Sequence, residues 1–186
     1  MKTSLIAFNK PAGVICQFSP QDNYFTLKKY INEAGFYAAG RLDASSEGLV
    51  LLTNDGYLQA KITEPKFKLP KTYLVQVEGE MDSQAIEQLS RGIRLKEFQT
   101  APAQLIITRP PPMLWARNPA IRERKTIPTS WVSIIIKEGK NRQVRRMCAA
   151  VGFPCLRLIR IQIGKFNLFD QHLALGEWRY ISPNSL

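Results

Sequence analysis

The sequence is poor in the residue types that build metal centres and disulfide frameworks. Its 186 residues include one histidine, His172, and three cysteines, Cys16, Cys148 and Cys155. The cysteines are odd in number and show no paired ligand spacing, so neither a zinc site nor a disulfide scaffold is expected. The thiols should be reduced and mostly packed. A histidine-based triad would have to use His172, which has no evident partner. Long apolar runs are missing as well. Hydrophobic residues make up 45% of the chain, yet no run approaches the roughly 20 apolar residues that cross a bilayer. The opening Met1-Lys2-Thr3-Ser4-Leu5 has no sustained apolar stretch and no small-residue cleavage site, so it is not read as a secretory signal. The expected location is the cytoplasm, with no membrane partner. The length suits one good core or two intimate subdomains, and residues 1–186 are treated as a single unit.

Acidic residues are scarce in one part of the chain only. The formal net charge is +11, but residues 1–108 carry 12 Lys and Arg against 11 Asp and Glu. Residues 109–165 carry 13 against 2, and the remaining tail 1 against 2. A positive field concentrated in this way attracts polyanions and makes their binding salt-dependent. Nucleic acid fits that field better than a membrane surface, because no basic amphipathic helix stands at either end.

Hydropathy patterning predicts many short strands and few helices. Strands are expected at Ser4 to Asn9, Leu49 to Thr53, Thr72 to Glu78, Ala103 to Thr108, Trp131 to Lys137, Cys155 to Ile163 and Glu177 to Ile181. Helices are expected at Phe25 to Ala34 with Thr26 as cap, Gly56 to Thr63, Asp82 to Arg91, and from an Asn141 cap through Val151. This order predicts an α+β fold with a largely antiparallel sheet. Between Pro110-Pro111-Pro112 and Trp131 lies a segment without sustained period. It holds Trp115, Arg117, Arg122, Arg124 and Lys125, and aromatic and guanidinium planes of this kind suit unpaired bases.

The chain is organised around Gly40-Arg41-Leu42-Asp43-Ala44-Ser45-Ser46-Glu47-Gly48, a loop that feeds the apolar run Leu49 to Leu52 and the turn Asn54-Asp55-Gly56. An aspartate on such a loop more often caps or turns the backbone than catalyses. The full string changes that balance. It resembles the signature of the RsuA type of bacterial ribosomal RNA pseudouridine synthases, and two further segments match that family in the same order. They are Lys71-Thr72-Tyr73-Leu74-Val75-Gln76-Val77-Glu78-Gly79 and Glu138-Gly139-Lys140-Asn141-Arg142-Gln143-Val144-Arg145-Arg146-Met147. The likeness runs from Phe8-Asn9-Lys10-Pro11 to about Arg160. It implies the pseudouridine synthase fold, a mixed, mostly antiparallel sheet flanked by helices and loops with a central cleft. Many members of the family carry a small RNA-binding domain ahead of the catalytic part. Here the Phe8-Asn9-Lys10-Pro11 motif comes almost at once, so no such separate domain is expected.

The resemblance implies a role for each matching residue. Asp43 is the expected catalytic residue, Arg41 helps displace the target nucleotide, Tyr73 stacks on the uracil, and Arg145 forms an ion pair with the aspartate. On the third motif's helix, Val144, Met147, Cys148 and Val151 make an apolar stripe, Arg142 and Arg146 project away from it, and Arg145 sits at its boundary. Arg142 and Arg146 are therefore expected on phosphates. Lys10, Lys71 and Lys140, which lie within the matched motifs, join them and the Trp115 to Lys125 residues as expected RNA contacts. Glu47 reads as a loop or capping residue rather than a second acid, and Asp55 as a turn residue. The implied reaction turns uridine into pseudouridine without redox change, so no cofactor and no metal are expected. The implied partner is ribosomal RNA, and the missing domain together with the 115–131 segment looks closest to members acting on the large-subunit (23S) RNA; a monomer is the default expectation. Two other readings compete: a non-catalytic RNA-binding or ribosome-assembly factor, which has no need of the Asp43, Tyr73 and Arg145 trio, and a base-releasing glycosylase, which usually needs two carboxylates.

Overall fold

A computed structural model describes residues 3–121, 124 and 126–186. The chain divides into two compact units, one of residues 3–69 and 160–186, the other of the described residues within 70–159.

In the first unit, β1 (Leu5–Lys10) pairs antiparallel with β5 (Glu47–Thr53) on one side and β11 (Trp178–Ile181) on the other. Every residue of β1 and β5 is buried, as expected of strands covered on both faces, and both read as near-continuous apolar runs for that reason. A short β4 (Tyr37–Ala39) also pairs antiparallel with β5. A parallel pair, β2 (Val14–Ile15) with β3 (Phe25–Thr26), makes the pairing mixed. Helix α1 (Gly56–Thr63) follows β5, and Asp55 caps it by accepting from the Leu58 amide at 2.9 Å. The turn expected at Asp55 is thus a helix cap.

The Phe25 to Ala34 helix does not form. Leu27–Lys29 makes one 3-10 turn, closed by the Tyr30 amide on the Leu27 carbonyl at 3.0 Å, and Thr26 gives no side-chain cap. Only Leu27 and Ile31 reach the core, whereas Phe25 is 57% exposed. Without a full apolar stripe to bury, a longer helix gains little.

In the second unit, β8 (Thr129–Ile136) lies between β6 (Lys71–Glu78) and β7 (Gln104–Thr108), antiparallel to both. Helix α2 (Ser83–Arg91) is capped by Asp82, whose carboxylate accepts from the Ala85 amide at 2.7 Å. Helix α3 (Gln143–Ala150) buries Val144, Met147 and Cys148 of the predicted stripe and also Gln143, while Val151 lies past its end and is half-buried. Its cap is Arg142, in the left-handed conformation at φ 48°, not Asn141. The Gln143 side chain instead ties the entry, accepting from the Lys140 amide at 3.1 Å and donating to Glu138. Strand β9 (Cys155–Ile163) gives its first five residues to this unit and its last four to the other, where β10 (Phe166–Asn167) pairs with it.

Candidate active site

The loop that carries Asp43 is held through several of its backbone groups. Gly40 enters at φ 89°, a left-handed conformation that costs a residue with a Cβ about 1 kcal/mol or more. The Leu42 amide donates to Cys16 Sγ at 3.3 Å, and the same sulfur lies 3.4 Å from the Leu42 carbonyl oxygen, so one thiol brackets the residue before Asp43. The Asp43 carbonyl accepts from the Ser46 amide at 3.0 Å, and the Ala44 carbonyl from the Gly13 amide at 2.8 Å. Asp43 itself is half-buried and Arg41 is exposed.

Beneath this loop lies a buried charged layer. Lys10 is fully buried, and its ammonium donates to the carbonyls of Val14 at 2.7 Å and Pro11 at 2.9 Å, with Ala44 at 3.5 Å. Burial pulls its pKa down to about 8; Cys16, Glu47 and Asp43 oppose that fall and Arg160 adds to it. Glu47 is 1% exposed and opens β5, so it is neither a loop nor a capping residue. Arg160, 3% exposed, donates from Nε to the Leu49 carbonyl at 2.8 Å and from Nη2 to the Gly40 carbonyl at 3.3 Å. One guanidinium thereby grips both ends of the 40–49 segment. Charges held this far from water interact more strongly than surface pairs, and each must be hydrogen-bonded to be tolerated.

Lys10 is thus a correction. It was expected on RNA, but its ammonium is enclosed and committed to loop carbonyls. Its depressed pKa has a consequence for stability. Between about 8 in the folded chain and the ordinary 10.5, the unfolded chain binds more protons, so stability rises with pH across that window. Compared with Lys10→Met, the native chain should gain up to about 3 kcal/mol between pH 8 and pH 10.5 in denaturant titrations. A flat difference would show that the ammonium is not desolvated.

The second unit carries the other expected residues. Tyr73, 7% exposed, stands on β6 opposite Ile134. Lys71 at the start of the same strand is only 6% exposed, which corrects its expected place on the RNA backbone. Arg145 is half-buried on α3, with Nη1 donating to the Cys155 carbonyl at 3.3 Å. Burial raises the Cys155 thiol to about 11, against the pull of Arg145, and pushes Cys148 up further. Both thiols are packed and protonated.

Around α3 the remaining cations gather on Phe98. The Lys140 ammonium is 4.1 Å and the Arg146 guanidinium carbon 5.0 Å from that ring's centre. Lys140 also donates to the Gln99 carbonyl at 3.2 Å, and Arg146 pairs with Glu97. Arg146 is therefore less available to phosphate than its helical position suggested, whereas Arg142 is exposed. In the 109–128 loop, the Trp115 carbonyl accepts from the buried Arg157 at 2.9 Å. Arg117 donates to the Pro119 carbonyl at 2.6 Å, and Arg124 lies 3.4 Å from Glu78. The expected contacts Arg122 and Lys125 lie outside the described residues.

The structure brings Asp43, Arg41 and Lys10 onto one support, Lys71 and Tyr73 onto one strand, and Lys140, Arg142, Arg145 and Arg146 onto one helix entry. The pairing of Asp43 with Arg145 joins residues of different units and belongs with the proposed function. Sequence reasoning missed Arg160, Cys16 and Gln143. For Arg160 a signal existed, since an arginine inside an alternating strand must be compensated where it is buried. Among the described residues, no group of three or more His, Cys, Asp or Glu could hold a metal, and no helix is long and apolar enough to cross a membrane.

Comparison with known proteins agrees with this arrangement. The sequence pattern of the family described as RNA pseudouridylate synthase matches residues 4–150. A Vibrio vulnificus protein named ribosomal large subunit pseudouridine synthase E is 53% identical over 178 residues, covering 96% of this chain and 75% of the relative. A Xanthomonas campestris protein of the same name is 48% identical, with 94% of each chain covered. A crystal structure titled pseudouridylate synthase superposes with a TM-score of 0.80 at 31% identity, over 98% of this chain and 72% of that one. Its mixed, mostly antiparallel sheets, its braced aspartate loop and these likenesses agree: the chain belongs to the RNA pseudouridylate synthase family, enzymes that isomerise uridine within RNA.

Proposed function

We propose that this chain converts a uridine of large-subunit (23S) ribosomal RNA into pseudouridine, in the cytoplasm, as a monomeric single catalytic domain that uses no cofactor. The observation that supports it most is the bracing of the Asp43 loop by Lys10, Cys16 and Arg160, a positioning effort that a mere turn does not need. Asp43 is the nucleophile or base that helps the uracil leave C1′, by attack at C1′ or C6 or by removal of a sugar proton. The N1–C1′ bond breaks, the base turns, and C5 rejoins C1′ as its proton is lost and N1 gains one, so atoms balance without redox change. Tyr73 stacks on the loosened base, and Arg145 pairs with the Asp43 carboxylate. Arg41 fills the place that the extruded nucleotide vacates. Extraction costs roughly a few kcal/mol, which stacking and the basic residues Lys140, Arg142 and Arg146 offset.

The test is incubation with protein-free large-subunit ribosomal RNA followed by chemical mapping of pseudouridine. One new pseudouridine is expected. RNA binding without product would favour a binding factor, and free uracil a glycosylase. Arg145→Ala should lower product formation by about a hundredfold or more while weakening RNA binding only a few-fold. An equal loss of both would remove Arg145 from the aspartate.

A further inference from the structure

The cationic surplus lies in the second unit, where residues 70–159 carry 15 Lys and Arg against 7 Asp and Glu, whereas residues 3–69 and 160–186 of the first unit carry 10 against 8. RNA presented to Asp43 therefore meets, in the first unit, a surface that Coulomb attraction alone grips weakly. That surface has another resource. Several of its aromatic side chains are exposed, among them Tyr24 by 47%, Phe25 by 57% and Tyr180 by 53%.

The segment from Phe18 to Phe36 lines an open surface pocket of about 510 Å³, with the buried Ile31, the rings of Phe18 and Phe36, and the charged Lys28 and Glu33 in its lining. Its volume falls within the range of about 300–1,000 Å³ typical of small-ligand sites. One wall is fixed from behind. The Phe36 ring meets Tyr180 edge-on at 6.1 Å, and Tyr180 meets Trp178 at 5.7 Å. The Trp178 indole donates to the Tyr30 carbonyl at 2.8 Å, and the Tyr180 hydroxyl bonds the Glu33 carboxylate. The 3-10 turn that supplies Lys28 to the pocket also sets the Lys29 ammonium 3.4 Å over the Phe25 ring. Phe25 thus has a cation on one face while most of its surface stays open.

We infer that this pocket takes one unpaired nucleotide of the substrate RNA other than the uridine being isomerised, and that Phe25 stacks on a base next to it. Phe18 and Phe36 hold the base by its faces, Asn32 offers an amide to its edge, and Lys28 meets its phosphate. Flat rings bind bases of any sequence, and interleaved lysines follow the backbone, which is how single strands are gripped without reading them. The inference rests on RNA being the substrate.

The test uses the full chain and fluorescence anisotropy with a labelled single-stranded oligoribonucleotide of about 12 nucleotides and a duplex of the same length. Phe25, Lys28 and Ala34 are exposed, so their replacement leaves the core alone. Phe25→Ala and the pocket-filling Ala34→Trp should each raise Kd for the single strand about 5-fold to 50-fold with no change in salt slope. Lys28→Ala should raise Kd and reduce the slope of log K against log salt by about 0.7. The duplex should bind all of them like the native chain. Unchanged single-strand binding in Phe25→Ala and Ala34→Trp, or an equal loss on the duplex, overturns the inference. Because binding is read without turnover, its outcome is independent of product mapping. Lost binding in a chain that makes no pseudouridine would sink the proposed activity and leave this site standing.

Discussion

Asp43→Asn should abolish pseudouridine formation, lowering the single-turnover rate by at least about 10⁴-fold, as removal of a nucleophile does elsewhere. The substitution keeps the shape of the side chain. The loop is held by its backbone, through Cys16 on Leu42, Gly13 on Ala44 and Ser46 on the Asp43 carbonyl. None of these contacts uses the carboxylate, so the loop should survive the change. RNA affinity should be equal or tighter, because one negative charge leaves a surface that receives phosphates. Chemical mapping of ribosomal RNA gives the rate, and filter binding gives the affinity. Residual activity within about tenfold of the native rate would move the chemistry to another residue.

Gly48→Ala should have the largest effect on stability. Gly48 has φ 99° and lies against the backbone of Arg160. An added Cβ would run into the Arg160 carbonyl oxygen and come within 3.0 Å of that residue's carbonyl carbon and amide nitrogen. The obstacle is main chain inside a sheet, so it cannot swing aside as a flexible side chain would. Overpacking and left-handed strain together should cost about 3–5 kcal/mol. The thermal midpoint should then fall by about 10 °C or more. Because the clash pushes on the residue whose guanidinium grips Gly40 and Leu49, the Asp43 loop should loosen before the rest of the unit melts. Amide exchange at residues 40–49 would show this, and protection lost evenly across the chain would contradict it.

Much of the secondary structure was legible because its causes are local. Asp82 announces α2, the Lys71–Glu78 run announces β6, and the Val144, Met147 and Cys148 spacing gives the buried stripe of α3. Errors came where a distant partner decides. Phe25 to Ala34 has helical spacing, but only Leu27 and Ile31 find a core to enter. Asn141 has the better capping side chain, yet Gln143, anchored to Glu138 and Lys140, shifts the helix start past it. The aspartate loop was legible as a motif, but its support was not. Lys10 read as an RNA contact, because nothing in its neighbourhood along the chain shows that the Ala44 carbonyl converges on it, and Arg160 was not singled out although its place inside an alternating strand carried a signal.

Arg160 holds Leu49 and Gly40 across 111 and 120 residues of sequence. Contacts so far apart close late, after the intervening chain has paid its loop entropy. During synthesis, the strand beside residue 40 is made long before the guanidinium that clasps it. The Asp43 loop therefore has no guanidinium to clasp it until residue 160 has been added to the chain.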